Sequence, residues 1–277
     1  MDLKEITNMY DFTNKTIVIT GGAGVLGAEM ACALVGCGAN VAIIDRDISL
    51  SEDIVKRIDT TVGKYIIVYG DVLDREKMEE AAKHIIKTFG DVYCLINTAG
   101  GNPPKATTSP DLSFFDLDPE SIENVSKLNL LGTIIPSQVF GKYFAEKKEG
   151  IILNVSSMSA FRPLTRVMAY SAAKSAVSNF TQWLAVHMAH EYSKNIRVNA
   201  IAPGFFLTAQ NKFLLTDKKS GELTQRGQQI IDHTPMGRFG NSEDLLGTVL
   251  WLISPASAFV TGIVAPIDGG FSAYSGV

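Results

Sequence analysis

The sequence predicts an α/β protein built on an open, doubly wound parallel sheet. Three observations carry the prediction. Short apolar runs alternate with longer mixed segments along the chain, the first run ends in a glycine-rich turn that opens a helix, and chemistry-bearing residues recur just after the carboxyl ends of the runs. The runs near 16–20, 40–45, 65–69, 92–97, 151–155, 196–201 and 263–267 have the length and composition of strands buried on both faces. Segments near 26–37, 50–59, 74–88, 119–147, 169–192 and 243–253 read as the helices between them. Right-handed crossovers through this alternation favour the strand order 3-2-1-4-5-6-7, with a ligand beyond the strand carboxyl ends. No repeat, low-complexity stretch or linker divides the chain, so residues 1–277 read as one domain. With 46% hydrophobic and 19% charged residues, it can bury one large core.

The first run, Thr16-Ile-Val-Ile-Thr20, leads directly into Thr20-Gly21-Gly22-Ala23-Gly24-Val25-Leu26-Gly27, and a helix-like segment follows. Strand, glycine turn and helix in that order suit a dinucleotide pyrophosphate, because glycine admits close backbone approach and a helix N-terminus offers unpaired N–H groups. The second run ends at Asp45, about 20 residues after the turn, where a carboxylate can accept hydrogen bonds from an adenosine ribose. That carboxylate would repel a 2′-phosphate, which argues for NAD over NADP. Arg46 pulls the other way, since guanidinium pairs well with phosphate.

Farther along, Tyr170-Ser-Ala-Ala-Lys174 places a phenol and an ammonium one helical turn apart, with the Ser157 hydroxyl thirteen residues upstream of Tyr170. An ordinary phenol, with a pKa of about 10, is a poor base near neutrality. A cation roughly 4 Å away at an effective dielectric near 20 is worth up to about 4 kcal/mol. The expectation is therefore that Lys174 draws the Tyr170 phenol toward neutral pH, where a general acid/base is most useful. The spacing alone also occurs in ordinary helices; its company with the glycine turn gives it weight.

From about Lys15 onward the chain resembles the short-chain dehydrogenase/reductase family, whose fold is a single Rossmann-type doubly wound sheet. The resemblance places the nucleotide turn at Thr20 to Gly27, an adenine contact at Asp71-Val72, and further cofactor contacts at Asn97, Ala99 and Gly100. Pro203-Gly204 with Thr208 is similar to the family's nicotinamide-carboxamide segment, and Asn129, Ser157, Tyr170 and Lys174 match its active-site tetrad. By that resemblance Tyr170 exchanges a proton with the substrate oxygen and Ser157 hydrogen-bonds it. Lys174 tunes the phenol and, with Tyr170, touches the cofactor ribose, while Asn129 holds a water of the proton relay. One departure stands out: the family's turn commonly has glycine where this chain has Val25, and Gly22-Ala-Gly24-Val-Leu-Gly27 reads instead as G-x-G-x-x-G.

Two long irregular stretches, 101–118 and 205–241, exceed ordinary connections in compact α/β units. The second, with Phe205, Phe206, Gln210, Asn211, Lys212, Arg226 and Arg238, reads as a substrate-covering lid with short helices. Around the expected pocket, Asn102, Lys105, Ser159, Arg162 and Arg166 supply cation and amide donors suited to a sugar-acid carboxylate, with Arg162 the first choice for the clamp. Within the family, the stretches 156–165, 202–208, 233–240 and 269–277 resemble the D-mannonate oxidoreductases of the short-chain type. That closer likeness implies D-mannonate and D-fructuronate as the substrate pair. A gluconate or polyol dehydrogenase, an oxoacyl-carrier reductase and a non-catalytic nucleotide-binding protein stay as alternatives.

A net charge of −4 offers no electrostatic footprint for nucleic acid, and no apolar stretch is long enough to span a bilayer. The N-terminus lacks the apolar core of a signal peptide, so a soluble cytoplasmic protein is expected. Cys32, Cys37 and Cys94, odd in number and in apolar contexts, read as buried free thiols. His187 and His190 show no converging partners by spacing, and no metal is expected. Phe180 and Trp183 on the same helix read as packing or subunit-contact residues, and the resemblance implies a homotetramer.

Overall fold

The computed structural model describes residues 2–50, 52–59, 61–207, 215–217 and 220–276. Seven parallel strands form one sheet: β1 (Thr16–Thr20), β2 (Asn40–Asp45), β3 (Lys64–Tyr69), β4 (Cys94–Asn97), β5 (Gly150–Val155), β6 (Ile196–Pro203) and β7 (Val264–Ile267). Their order is β3-β2-β1-β4-β5-β6-β7, as the alternation of runs predicts. The chain reverses its direction of winding at β1, so the crevice beyond β1 and β4 is the topological switch point.

Each strand divides its apolar residues between two faces, because successive side chains point to opposite sides of the sheet. Ile17 and Ile19 of β1 join Val41 and Ile43 of β2 and Leu153 of β5 in one core layer, while Val18 joins Ala42, Ile44 and Ile152 in the other. The first layer is covered by α2 (Val25–Gly36), whose Met30, Leu34 and Val35 are fully buried, and by Val249, Leu252 and Ile253 of α9 (Leu246–Ile253). The second is covered by α4 (Arg75–Phe89), α6 (Gly132–Lys147) and α7 (Met168–Glu191) through Met78, Ile85, Phe140, Phe144, Leu184 and Met188. A sheet buried on both faces explains why the strands read as unbroken apolar runs.

The helix expected over 119–147 is interrupted. Helix α5 (Pro119–Ser126) passes through a π-helical turn, Lys127–Leu131, before α6 resumes. Pro136 inside α6 has no N–H for the helical ladder, and the wide turn just before it carries Asn129 inward. One helix, α1 (Leu3–Asn8), lies outside the predicted set and is fixed by a capping box between Asp2 and Glu5. Helix α8 (Gln225–Asp232), a short helix of the kind expected in the long second stretch, starts at a Thr224 cap. Helix α3 (Glu52–Asp59) completes the α/β alternation, and no described helix is long and apolar enough to cross a membrane.

The expectation for the thiols needs one correction. Cys32 and Cys94 are buried and free, but Cys37 is exposed. It sits at the C-cap of α2, where the chain turns out of the core before β2, so its apolar neighbours in sequence do not surround it in space. His187 stacks on Trp183 at 4.7 Å between ring centroids and meets Tyr192 edge-on at 5.6 Å. Trp183 remains more than half exposed on the outer face of α7.

Candidate active site

A cleft of about 700 Å³ opens beyond the carboxyl ends of the strands, within the range of small-molecule sites. Its walls come from the turn after β1, the ends of β2 and β4, the segment after β5, the start of α7, the end of β6 and part of the long second loop.

One end is built by glycines. Gly21 takes a positive φ of 65°, donates its N–H to the Ile44 carbonyl at 2.8 Å and accepts from the Gly24 N–H at 3.1 Å. A Cβ on Gly21 would stand 2.6 Å from the Ala99 Cα, and one on Gly27 would stand 2.7 Å from the Gly21 carbonyl oxygen. Gly24 is the N-cap of α2 and supplies no side-chain acceptor, so the first-turn N–H groups at Val25, Leu26 and Gly27 carry no cap. This is the open, donor-rich cradle a dinucleotide pyrophosphate needs. The departure at Val25 is accommodated simply: Val25 is the first residue of the helix and lines the cleft.

Asp45, at the end of β2, also lines this end; its carboxylate accepts from the Ala23 N–H at 3.0 Å and the Asp47 N–H at 3.2 Å. Arg46 lines the cleft too, largely exposed and 4.0 Å from Asp71. Val72, Ala99, Gly100, Pro203 and Gly204 are in the walls. Thr20, Gly22, Asp71 and Asn97 lie just outside the lining. A Cβ on Gly22 would meet Ile43 of the core, the Asp71 carboxylate accepts from the Leu73 N–H, and Asn97 is buried, donating to Ser137 and Asn154. Thr20 is fully buried at the end of β1. Thr208 lies outside the described residues, as do Gln210, Asn211 and Lys212.

The other end brings Asn129, Ser157, Tyr170 and Lys174 into one wall. Ser157 follows the end of β5 in extended conformation, and its hydroxyl accepts from the Ser159 N–H at 3.2 Å. Asn129 is fully buried in the π-helical turn; its amide donates to the Gly101 carbonyl at 2.8 Å and the Val125 carbonyl at 2.9 Å. Lys174 lies 5.6 Å from the centroid of the Tyr170 ring, while its ammonium donates to the Val155 carbonyl at 2.7 Å.

The electrostatics correct an expectation. Burial raises the Tyr170 phenol above its ordinary value, and the hydrogen bond with Ser157 opposes that shift without reversing it. The lysine is not aimed at the phenolic oxygen but down onto β5, so burial dominates. The same burial pushes the Lys174 ammonium down to about 8.

That shift makes a stability prediction. Below pH 8 both folded and unfolded lysine are protonated, and the fold carries the full desolvation penalty, roughly 3 kcal/mol at about 1.36 kcal/mol per pKa unit. Between pH 8 and 10.5 the folded form sheds its proton first, so stability rises with pH relative to a chain without the group. Lys174→Met forfeits the hydrogen bond to Val155, about 1 kcal/mol. Urea unfolding at pH 7 should therefore show a net gain of about 2 kcal/mol, shrinking toward zero or below by pH 10.5, alongside lost turnover.

Of the substrate-binding candidates, Asn102 lines the cleft and donates to the Thr107 hydroxyl at 2.6 Å. Lys105 stands exposed on a turn of 3₁₀ helix, Ser159 is buried, and Arg162 is exposed with its Nε donating to the Ser272 carbonyl at 3.3 Å. None of these three is in the cleft lining. The lining instead contains Leu164, Val167, Leu215 and Arg226, of which sequence reasoning singled out only Arg226, as part of a lid.

Comparison with known proteins agrees with this geometry. The short chain dehydrogenase family profile matches residues 15–219. The uncharacterized oxidoreductase UxuB of Bacillus subtilis is 49% identical over 96% of this chain and 98% of its own length. The 2-dehydro-3-deoxy-D-gluconate 5-dehydrogenase of Escherichia coli is 30% identical over 97% and 99%. Among solved structures, a Haemophilus protein provisionally described as a D-mannonate oxidoreductase, with bound NAD, is 47% identical with a TM-score of 0.89, covering 98% of this chain and all of that one. The chain thus belongs to the short chain dehydrogenase family and is an NAD(P)-dependent oxidoreductase acting on CH–OH groups.

Proposed function

We propose that this protein interconverts a sugar-acid secondary alcohol and its ketone with NAD, the pair being D-mannonate and D-fructuronate. The observation that carries the reading is the meeting of Tyr170, Ser157 and Lys174 in one wall of a cleft whose far end is the glycine turn with Asp45. The substrate class is supported by two relatives whose names specify sugar acids, the D-mannonate and the 2-dehydro-3-deoxy-D-gluconate enzymes.

The bound nicotinamide supplies or accepts the hydride. Gly21, Gly24, Val25, Leu26 and Gly27 receive the pyrophosphate, with Thr20 and Gly22 shaping the turn from behind. Asp45 takes the adenosine ribose hydroxyls, and Asp71 with Val72 flanks the adenine. Asn97, Ala99 and Gly100 floor the central stretch, while Pro203, Gly204 and Thr208 hold the carboxamide. Asp45 favours NAD, since its carboxylate, already bound to two backbone N–H groups, would repel a 2′-phosphate.

In ketone reduction Tyr170 donates its phenolic proton to the carbonyl oxygen, and Ser157 donates a hydrogen bond to the same oxygen as negative charge grows there. Burial keeps the phenol protonated near neutrality, the form reduction requires. Alcohol oxidation needs the phenolate and therefore gains with rising pH. Lys174, mostly charged below its value of about 8, packs over the Tyr170 ring and binds the ribose. Asn129 holds the π-helical turn open toward a relay water. From the stretch 205–241, Phe205, Phe206, Leu215 and Arg226 line the substrate side of the cleft, and the exposed Trp183 face of α7 suits subunit contact in a cytoplasmic homotetramer.

A panel assay tests the reading, following NADH and NADPH oxidation with D-fructuronate, ketogluconates, uncharged ketoses and oxoacyl thioesters. The expected result is the highest kcat/KM for D-fructuronate with NADH. Inert fructuronate beside a readily reduced ketone of another class would refute the substrate assignment, and cofactor binding with no turnover would refute the chemistry.

A further inference from the structure

We infer that Arg226, backed by Arg166, is the site that takes the substrate carboxylate, so that the enzyme selects ketones carrying an anion remote from the reacting carbon. This rests on the sugar-acid reading above and assigns that reading a specificity-determining residue. Charge in the cleft lining is segregated. The acids among the described lining residues, Asp45 and Asp47, stand with Arg46 near the glycine turn. Toward Tyr170 and Ser157 the charged lining residues are Lys174, already donating to the Val155 carbonyl, and Arg226.

Arg226 differs from Arg57, Arg197 and Arg238 in having no carboxylate or carbonyl partners among the described residues. Arg57 forms a bidentate pair with Glu29, Arg197 donates to the carbonyls of Leu252, Ser254 and Val260, and Arg238 pairs with Asp244 through both terminal nitrogens. Arg226 makes one long hydrogen bond, Nη1 to the Thr165 hydroxyl at 3.5 Å, and no ion pair among the described residues. A guanidinium has five N–H donors, so most of its capacity faces the cleft or water unmet. Its pKa is lowered by burial first and by the Arg166 charge second, as suits a half-buried cation beside a like charge.

The surroundings strengthen what an anion would gain. Leu164, Val167, Phe206 and Leu215 share the lining, and apolar walls raise the worth of a charge-assisted bidentate bond. The position is also fixed from two sides. Arg226 lies in the first turn of α8, where Thr224 caps the Gly227 N–H at 3.0 Å, and Arg166 sits at φ +79° with its carbonyl accepting from the Thr108 N–H at 3.0 Å. Two adjacent cations held by backbone geometry, short of acidic partners and next to the acid/base end of the cleft, suit a planar carboxylate. Arg162, the residue the sequence suggests, is turned toward the Ser272 carbonyl and outside the lining.

The test pairs each carboxylated ketone with its uncharged counterpart, D-fructuronate with D-fructose and a ketogluconate with the matching ketose, in wild-type enzyme, Arg226→Gln and Arg226→Lys. NADH titration and thermal unfolding establish that each variant is folded. The ratio of kcat/KM for acid over uncharged ketone should fall on the order of 10–100-fold in Arg226→Gln, chiefly through KM, and recover in part in Arg226→Lys. An unchanged ratio in Arg226→Gln, or a wild-type enzyme with no preference for the acid in any pair, would overturn the inference. If fructuronate is inert but another keto acid shows the Arg226-dependent ratio, the proposed substrate fails and the carboxylate site stands.

Discussion

Replacing Tyr170 with phenylalanine is expected to lower kcat for ketone reduction on the order of 10³-fold while leaving NADH affinity within about threefold. The substitution removes one oxygen and keeps the ring, so packing beside Ala169 and the Lys174 ammonium is preserved. The lost atom is the only phenolic donor in the cleft lining among the described residues, and Ser157 cannot replace it, because a serine hydroxyl is a far weaker acid. Because the effect falls on proton transfer, it should appear in kcat at saturating substrate rather than in KM. Stopped-flow measurement of NADH oxidation, with NADH affinity from fluorescence titration, checks both halves. A variant turning over at more than a tenth of the wild-type rate would remove Tyr170 from the chemistry.

The second large effect belongs to the opposite end of the cleft. Gly21→Ala should weaken NADH binding by about 100-fold or more. An L-residue in the left-handed region costs roughly 1–2 kcal/mol, and Gly21 sits at φ +65°. The added Cβ would also lie 2.6 Å from the Ala99 Cα and 2.7 Å from its nitrogen, backbone atoms of the loop after β4 that cannot swing aside like a side chain. Relieving the overlap shifts either the glycine turn or the Ala99 segment, both of which line the end of the cleft proposed to take the cofactor. Gly247→Ala serves as the control, because nothing stands within 4 Å of its Cβ position inside α9. Wild-type NADH affinity in Gly21→Ala would show that the turn does not receive the cofactor.

How much of this was legible in the sequence depended on how local its cause is. Strands buried on both faces write themselves as β-branched runs such as Thr16-Ile-Val-Ile-Thr20, and the glycine turn lies next to the helix it opens, so sheet order and the open turn after β1 are legible in neighbouring residues. Helix α1 is short, and its signal in the sequence is the Asp2…Glu5 capping box. The π-helical turn at Asn129 had a weaker signal in Pro136. The Tyr170 pKa is not legible in the sequence, because spacing puts Lys174 on the right helical face but says nothing of the Val155 carbonyl, which accepts from its ammonium. Substrate contacts were hardest. Arg162 and Arg226 are both basic residues in loop-rich sequence, and only the folding of the long second stretch against residues 164–167 decides which of them reaches the cleft.

Hydride transfer itself can be followed with NADH deuterated at C4 in the transferred position, incubated with D-fructuronate, and the label traced by mass spectrometry. One deuterium is expected on the carbon that gains the hydroxyl of D-mannonate, with that transfer lost in Tyr170→Phe. Absence of label from the product of wild-type enzyme, or undiminished transfer in the phenylalanine variant, would contradict the mechanism.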